Sequence, residues 1–243
     1  MKSRNILAAV VAAAGTASAA LAGFTAVQPA PGSELGHAAI LNHVYGGTFL
    51  LQESVVPSYT NGALTFTRTG DTGLGGVLPL VSADSSESDD EIWSTGGAVG
   101  PATVIARAKY AGDSHQFGWI DDTAAEPGFV ALGSTSSFRA PIEVSLSSLF
   151  RWALHDTTTG KLWTSVAADN VSGGNAYDQM VTYRVTGASI TQPTFLLFWE
   201  DRIGGGADYD YNDAVIEVTA VPAPGVAAFG SMLLAGLARR NRR

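Results

Sequence analysis

From residue 48 onward, short apolar or alternating runs separated by turn signals give the chain the texture of β-strands. The run at 63–68 is the plainest case, and it follows Asn61-Gly62, a hairpin-turn signal. Further short runs at 48–51, 102–110, 115–120, 129–132, 141–146, 150–155, 161–165, 180–185, 194–200 and 214–219 also read as strands. Asp156-Thr157-Thr158-Thr159-Gly160 joins two of them as a hairpin, while 69–77 and 83–90 are loops rich in Gly, Ser and Asp. Helical spacing occurs only near the N-terminus. Leu35, Ala38, Ile40 and Leu41, with Ser33 as cap, predict a short helix over 33–42 that Tyr45-Gly46-Gly47 ends. Roughly ten short strands and one helix predict an all-β fold, a jelly-roll-like β-sandwich. No internal repeat is visible, which argues against a solenoid or propeller.

Both ends depart from this pattern. Lys2 and Arg4 precede an apolar stretch at 6–14, and small residues follow. Ala17-Ser18-Ala19 and Ala20-Leu21-Ala22 are both cleavage sites in form, so residues 1–22 read as a signal peptide cut after Ala22 or after Ala19. A first membrane helix is the alternative. At the other end, Val221-Pro222-Ala223-Pro224 precedes an apolar segment at 225–238 and then Arg239-Arg240-Asn241-Arg242-Arg243. That segment is shorter than the ~20 residues of a comfortable span, although arginines can snorkel and extend its reach. Residues 221–243 therefore read as a membrane stop and an address, with transient membrane insertion, or else as an ordinary anchor. Either way the protein works outside the cytoplasm, and residues 23–220 form one domain.

Trimming the ends changes the charge. The full chain carries 14 basic and 22 acidic residues, a net −8. Between residues 23 and 220 eight basic residues face all 22 acids, so the domain sits near −14. A surface that acidic repels nucleic acid and attracts cations, so no nucleic-acid partner is expected. There is no cysteine, which excludes disulfides, catalytic thiols and thiolate metal sites. Five Trp, ten Phe and seven Tyr are enough aromatics to fill the core of a domain this size.

The sharpest chemical feature lies at 195–218. An apolar strand delivers Glu200 and Asp201, glycines 204–206 turn the chain, and Asp208, Asp210, Asn212 and Asp213 lead into the next strand. Alternation predicts Asp208, Asp210 and Asn212 on one side of an extended segment, with Tyr209 and Tyr211 on the other. Glu200 or Asp201 would face them across the turn. Several hard oxygens converging from two segments suit Ca²⁺, which takes six to eight oxygen ligands in tolerant geometry. The metal-ligand candidates are thus Glu200, Asp201, Asp208, Asp210, Asn212 and Asp213. The run is not an EF-hand, because Asp213 stands where that loop needs Gly and Thr219 where it needs a bidentate Glu. A solvated turn using Asx caps is the alternative.

Two resemblances add to these readings. The order Val221, Pro222, Pro224, apolar segment, Arg239 and Arg240 resembles the PEP-CTERM sorting signal, with Ala223 where that family has Glu. The resemblance implies an exosortase-type sorting enzyme as partner. The segment 198–218 looks like the signature of a bacterial domain of unknown function found in secreted and PEP-CTERM proteins. An aromatic, Glu200-Asp201, the glycine turn, Asp208, Asp210, Tyr211, Asn212 and Asp213 carry that likeness, with Ala207 where Gly is usual. The segments 40–47, 108–112 and 116–119 are loosely similar to the same proteins. The likeness implies a β-rich extracellular domain that binds a divalent cation, with no established activity.

Other groupings carry less. Asp84, Glu87, Asp89, Asp90 and Glu91 form a second acidic run, read as a solvated loop with a second calcium site as alternative. His37, His43, His115 and His155 lack zinc-ligand spacing, and Gly-x-Ser-x-Gly is absent. Trp93, Trp119, Trp152, Trp163 and Tyr209 either pack in the core or stack on sugar rings. The expectation is therefore an exported, surface-processed protein of the cell envelope or exopolysaccharide matrix, not an enzyme, with a Ca²⁺-binding β domain in a structural or adhesive role. A calcium-dependent carbohydrate-binding module is the second reading, and a matrix polysaccharide hydrolase the third.

Overall fold

Alternation along short strands yields two sheets packed face to face. The computed structural model describes residues 24–52, 56–70, 77–80, 90–96, 99–125 and 127–221. The signal-peptide reading at 1–22, the tail with Pro222, Pro224, Arg239 and Arg240, and the acids Asp84, Glu87 and Asp89 lie outside these residues. Among the described residues one α-helix, α1 (His37–Tyr45), precedes sixteen strands. These are β1 (Leu50–Gln52), β2 (Ser58–Thr60), β3 (Leu64–Arg68), β4 (Val77–Pro79), β5 (Ile92–Ser94), β6 (Gly100–Lys109), β7 (His115–Asp121) and β8 (Phe129–Ser134). They continue with β9 (Ile142–Leu146), β10 (Leu149–Asp156), β11 (Lys161–Thr164), β12 (Val171–Ser172), β13 (Asn175–Ala176), β14 (Met180–Gly187), β15 (Thr194–Trp199) and β16 (Ala214–Ala220).

An eight-stranded sheet runs in the order β1-β2-β3-β14-β15-β16-β6-β9. A six-stranded sheet runs β4-β5-β10-β7-β8, with β11 paired to β10. Pairing is antiparallel except between β4 and β5. The chain is thus an all-β sandwich. Phe195, Leu197 and Trp199 of β15 and Ile216 and Val218 of β16 enter the core between the sheets, with Trp93, Phe117 and Trp152 from the facing sheet. The rings of Trp93 and Phe195 meet edge to face at 5.0 Å. Leu196, Phe198 and Val215 point the other way, into a second cluster closed by Ile40 and Leu41 of α1. Each such side chain, once buried, stabilises the fold by about 1.5–3 kcal/mol. Because α1 covers its outer face, β15 is buried at all six positions.

Two expectations need correction. The helix begins at His37, not Ser33, with Gly36 as an N-cap that makes no side-chain bond. Residues 31–34 instead form a turn in which the Glu34 amide donates to the Pro31 carbonyl. The helix runs three residues past the expected Asn42, to Tyr45, and stops at Gly46, which takes φ 74°. The strand count exceeds ten because β2, β4, β5, β12 and β13 are two or three residues long, too short for periodicity to register. The Asn61-Gly62 turn is present: Asn61 Oδ1 accepts from the amides of Ala63 (3.0 Å) and Leu64 (2.8 Å), and Gly62 takes φ 85°. The hairpin between β10 and β11 is also as expected.

Candidate metal centre

β15 and β16 pair as far as Trp199 and Ala214, so residues 200–213 emerge together at one end of the sandwich. Several bonds fix the start of this connection. Gln179, fully buried, donates through Nε2 to the carbonyls of Glu200 (3.0 Å) and Arg202 (2.7 Å). The Trp163 indole donates to the Asp201 carbonyl at 2.8 Å. A single 3-10 turn, Gly204–Gly206, then reverses the chain, with Gly204 at φ 74° where a side chain would be strained.

The second half departs from the extended segment expected of it. Tyr209 (φ 58°) and Tyr211 (φ 56°) adopt left-handed backbone conformations, uncommon for aromatic residues. Their surroundings hold them there. The Tyr209 amide donates to Glu200 Oε2 (2.8 Å), its carbonyl accepts from Gln28, and its hydroxyl accepts from the Gly204 amide. Tyr211 is buried and donates its hydroxyl to the Asp178 carbonyl. The alternation of one acidic and one aromatic face is therefore not observed: Asp210, Tyr211 and Asn212 are all buried in succession, and Asp208 is exposed. Such strain, concentrated in one loop and overdetermined by bonds, is a mark of functional segments.

The loop gathers its acids into two adjoining groups. Glu200, Asp201 and Asp213 each present a carboxylate oxygen within 4.8 Å of the others. Asp208 and Asp210 form a similar group with Glu34, which the sequence reading did not single out. Asn212 keeps its Oδ1 buried and without a hydrogen-bond partner. Its Nδ2 donates to Asp210 Oδ2 (2.6 Å) and to the Leu35 carbonyl (3.2 Å), so it braces Asp210 against the segment that carries Glu34. His37 closes the same brace. Its Nε2 donates to the Asp210 carbonyl at 2.9 Å, which leaves Nδ1 to accept from the Tyr183 hydroxyl at 2.9 Å. Burial and the nearby Arg68 charge lower its pKa to about 3, so this ring is neutral.

Glu34, Glu200, Asp201, Asp208 and Asp213 line one open pocket of about 200 Å³, with Ala111, Gly112, Arg202 and Gly206 completing its wall. Burial, then the Asp213 and Asp208 charges, push the Glu200 carboxyl up to about 9. Burial, then Asp201, push Asp213 up to about 8. Burial raises Asp210 to about 6, even though the Asn212 amide favours its charged form. Compensation by basic groups is thin. Arg202 is half exposed, donates to Asp113 at 2.8 Å, and keeps Nε 3.7 Å from Asp201 Oδ1. His115 Nε2 lies 2.8 Å from Asp201 Oδ2, but out of line for a hydrogen bond, and neither buried atom has a hydrogen-bond partner.

Several other sequence candidates find structural roles. Trp93 and Trp152 are buried in the core, and Trp119 packs against it. Glu91 accepts from the Ala167 amide through its carboxylate, and Asp90 is buried beneath the Trp93 indole, which donates to its carbonyl. Among the described residues no helix is long and apolar enough to cross a membrane. Comparison with family models finds no match for the chain, and comparison with curated proteins finds none either.

Proposed function

We propose that this is an exported envelope or matrix protein whose β-sandwich binds Ca²⁺ at Glu200, Asp201 and Asp213, with Asp208 at the rim. The observation that carries the reading is Asp201 Oδ2. It is a buried carboxylate oxygen without a hydrogen bond, on the wall of a pocket where two further carboxyls lie within reach. A cation would offset the mutual repulsion of these carboxyls and add to the His115 Nε2 contact at 2.8 Å that Asp201 Oδ2 already has. Hard, converging oxygens on a loop with room for water favour Ca²⁺ over Mg²⁺, which demands near-ideal octahedral geometry and dehydrates reluctantly. The ion would tie the start of the 200–213 connection to its end and lock the β15–β16 hairpin. The role is structural or adhesive and involves no catalytic step.

Calorimetric titration of chelator-stripped protein tests this directly. One Ca²⁺ is expected to bind per chain, with Mg²⁺ at least tenfold weaker. No heat and no competition from Ca²⁺ would leave the loop a self-contained turn.

The address is the second part of the proposal. The tail at 221–243 would be read by an exosortase-type enzyme after transient membrane insertion, with Arg239 and Arg240 holding the cytoplasmic edge. In the native host, Arg239→Ala/Arg240→Ala is expected to yield protein that keeps its C-terminal segment, as read by intact mass. An unchanged mature mass would refute the sorting role of these arginines.

A further inference from the structure

A second pocket opens beside the carboxylate basin, and the two share Asp201, Arg202 and Gly206 as a common wall. Its volume is about 300 Å³, at the lower end of the range for small-ligand sites. Its chemistry is the reverse of its neighbour's. Lys161 and Arg202 line it with two positive side chains, in a domain that has only eight basic residues. Trp163, Ile203 and Val171 supply apolar surface, and Ser172 supplies a hydroxyl. Trp163 and Ile203 belong to the inter-sheet core, so that part of the floor is rigid. Val171 is 57% exposed, an apolar side chain left facing solvent at the mouth.

We infer that this pocket is a subsite for an acidic sugar, a uronate unit of a polysaccharide, held jointly by the bound cation and by Lys161 and Arg202. The inference rests on the Ca²⁺ reading above. Three carboxylates would leave coordination positions open on an ion that takes six to eight oxygens, and Asp201, one of the three, lies on the shared wall. A uronate matches the set. Its ring has an apolar face for Trp163 and Ile203, hydroxyls for Ser172 and for the ion, and a carboxylate for the guanidinium and ammonium groups. A neutral sugar would offer no anion to Lys161 or to Arg202, whose guanidinium already donates to Asp113. A free carboxylate such as acetate would leave the apolar floor unfilled. The basin alone repels an anion, and a bound Ca²⁺ would offset two of its negative charges beside the wall the two pockets share.

The test is calorimetric binding of a galacturonate trisaccharide and of its carboxyl-reduced, neutral counterpart to calcium-loaded protein, with Ca²⁺ affinity titrated separately. The acidic trisaccharide is expected to bind at least tenfold more tightly than the neutral one, and to lose that binding in EDTA. Lys161→Glu changes an exposed residue at the start of β11. It is expected to weaken trisaccharide binding at least tenfold with Ca²⁺ affinity unchanged. Equal affinity for the two sugars, or a Lys161→Glu protein that binds the acidic one as the parent does, overturns the inference. So does the absence of any sugar binding to protein that has been shown to hold Ca²⁺, and that result leaves the cation site standing. Absence of Ca²⁺ binding in the separate titration would instead remove the reading beneath it.

Discussion

Asp213→Asn is expected to raise the melting temperature of the calcium-free protein at pH 8 and to abolish its response to Ca²⁺. Asp213 Oδ2 accepts from the Asp201 amide at 2.8 Å, and an asparagine oxygen can keep that bond. The amide nitrogen would then present donors to the remaining carboxylates where the parent has only acceptors. The exchange removes like-charge repulsion and a buried charge together, so the chelated variant gains stability. The parent, by contrast, gains only by binding. A ligand that binds the folded state alone contributes about 2.7 kcal/mol at a hundredfold excess over Kd. For a domain of this size, that is an upward shift of roughly 5–10 °C. Melts in excess EDTA and in millimolar Ca²⁺, for parent and variant, read both effects. A parent that ignores Ca²⁺ would reduce the acidic loop to a solvated turn. A variant that still responds would move the ion to Glu34, Asp208 and Asp210, where Asp208→Ala/Asp210→Ala would then be the variant that fails.

The reach and the failure of sequence reasoning both show in this loop. Its existence was legible because β15 and β16 are long, apolar and antiparallel, and a glycine turn between acids has few other uses. Which acids meet was not. Period-two alternation holds only where a ladder enforces it, and the ladder stops at Trp199 and Ala214. Beyond that point, left-handed turns at Tyr209 and Tyr211 rotate the side chains out of any simple register. Asn212 reads as a ligand by spacing; its Nδ2 is engaged by Asp210 and Leu35, while its Oδ1 is buried without a hydrogen bond. Glu34 and His115 left no trace because tertiary packing alone brings them to the site: Glu34 precedes α1, and His115 opens β7 on the facing sheet. The same reason hid the parallel β4–β5 pair, since parallel neighbours leave no hairpin signal between them.

Helix α1 has a part in the site that its apolar pattern did not reveal. Ile40 and Leu41 anchor it on the outer face of the large sheet. That anchoring places His37 against the Asp210 carbonyl and the preceding segment, with Leu35, against the Asn212 amide. The strained half of the loop is therefore clamped from outside by the helix. The other half is clamped from inside by Gln179 and Trp163. A carboxylate cluster preorganised in this way keeps its repulsion in the empty state, because its members cannot swing apart into solvent.

That repulsion makes stability depend on pH without the ion, and the dependence is lost when the ion is bound. Glu200, Asp213 and Asp210 have folded-state pKa values raised to about 9, 8 and 6, above the ordinary carboxylate range. Between those ordinary values and the raised ones the folded state binds more protons than the unfolded state. The stability they contribute is complete below pH ~4 and is lost as pH rises through the folded values. His37 acts in the opposite direction but only below its unfolded pKa of about 6.5, so it does not cloud the window above it. In EDTA, denaturant midpoints are therefore expected to fall steadily from pH 6.5 to 9. In saturating Ca²⁺ the metal replaces the protons, the fall disappears, and the gap between the two curves widens with pH. The apparent Kd for Ca²⁺ should tighten by up to tenfold per pH unit for each proton released. Parallel curves across that window would mean that the ion does not displace protons from Glu200 and Asp213, and so does not sit between them.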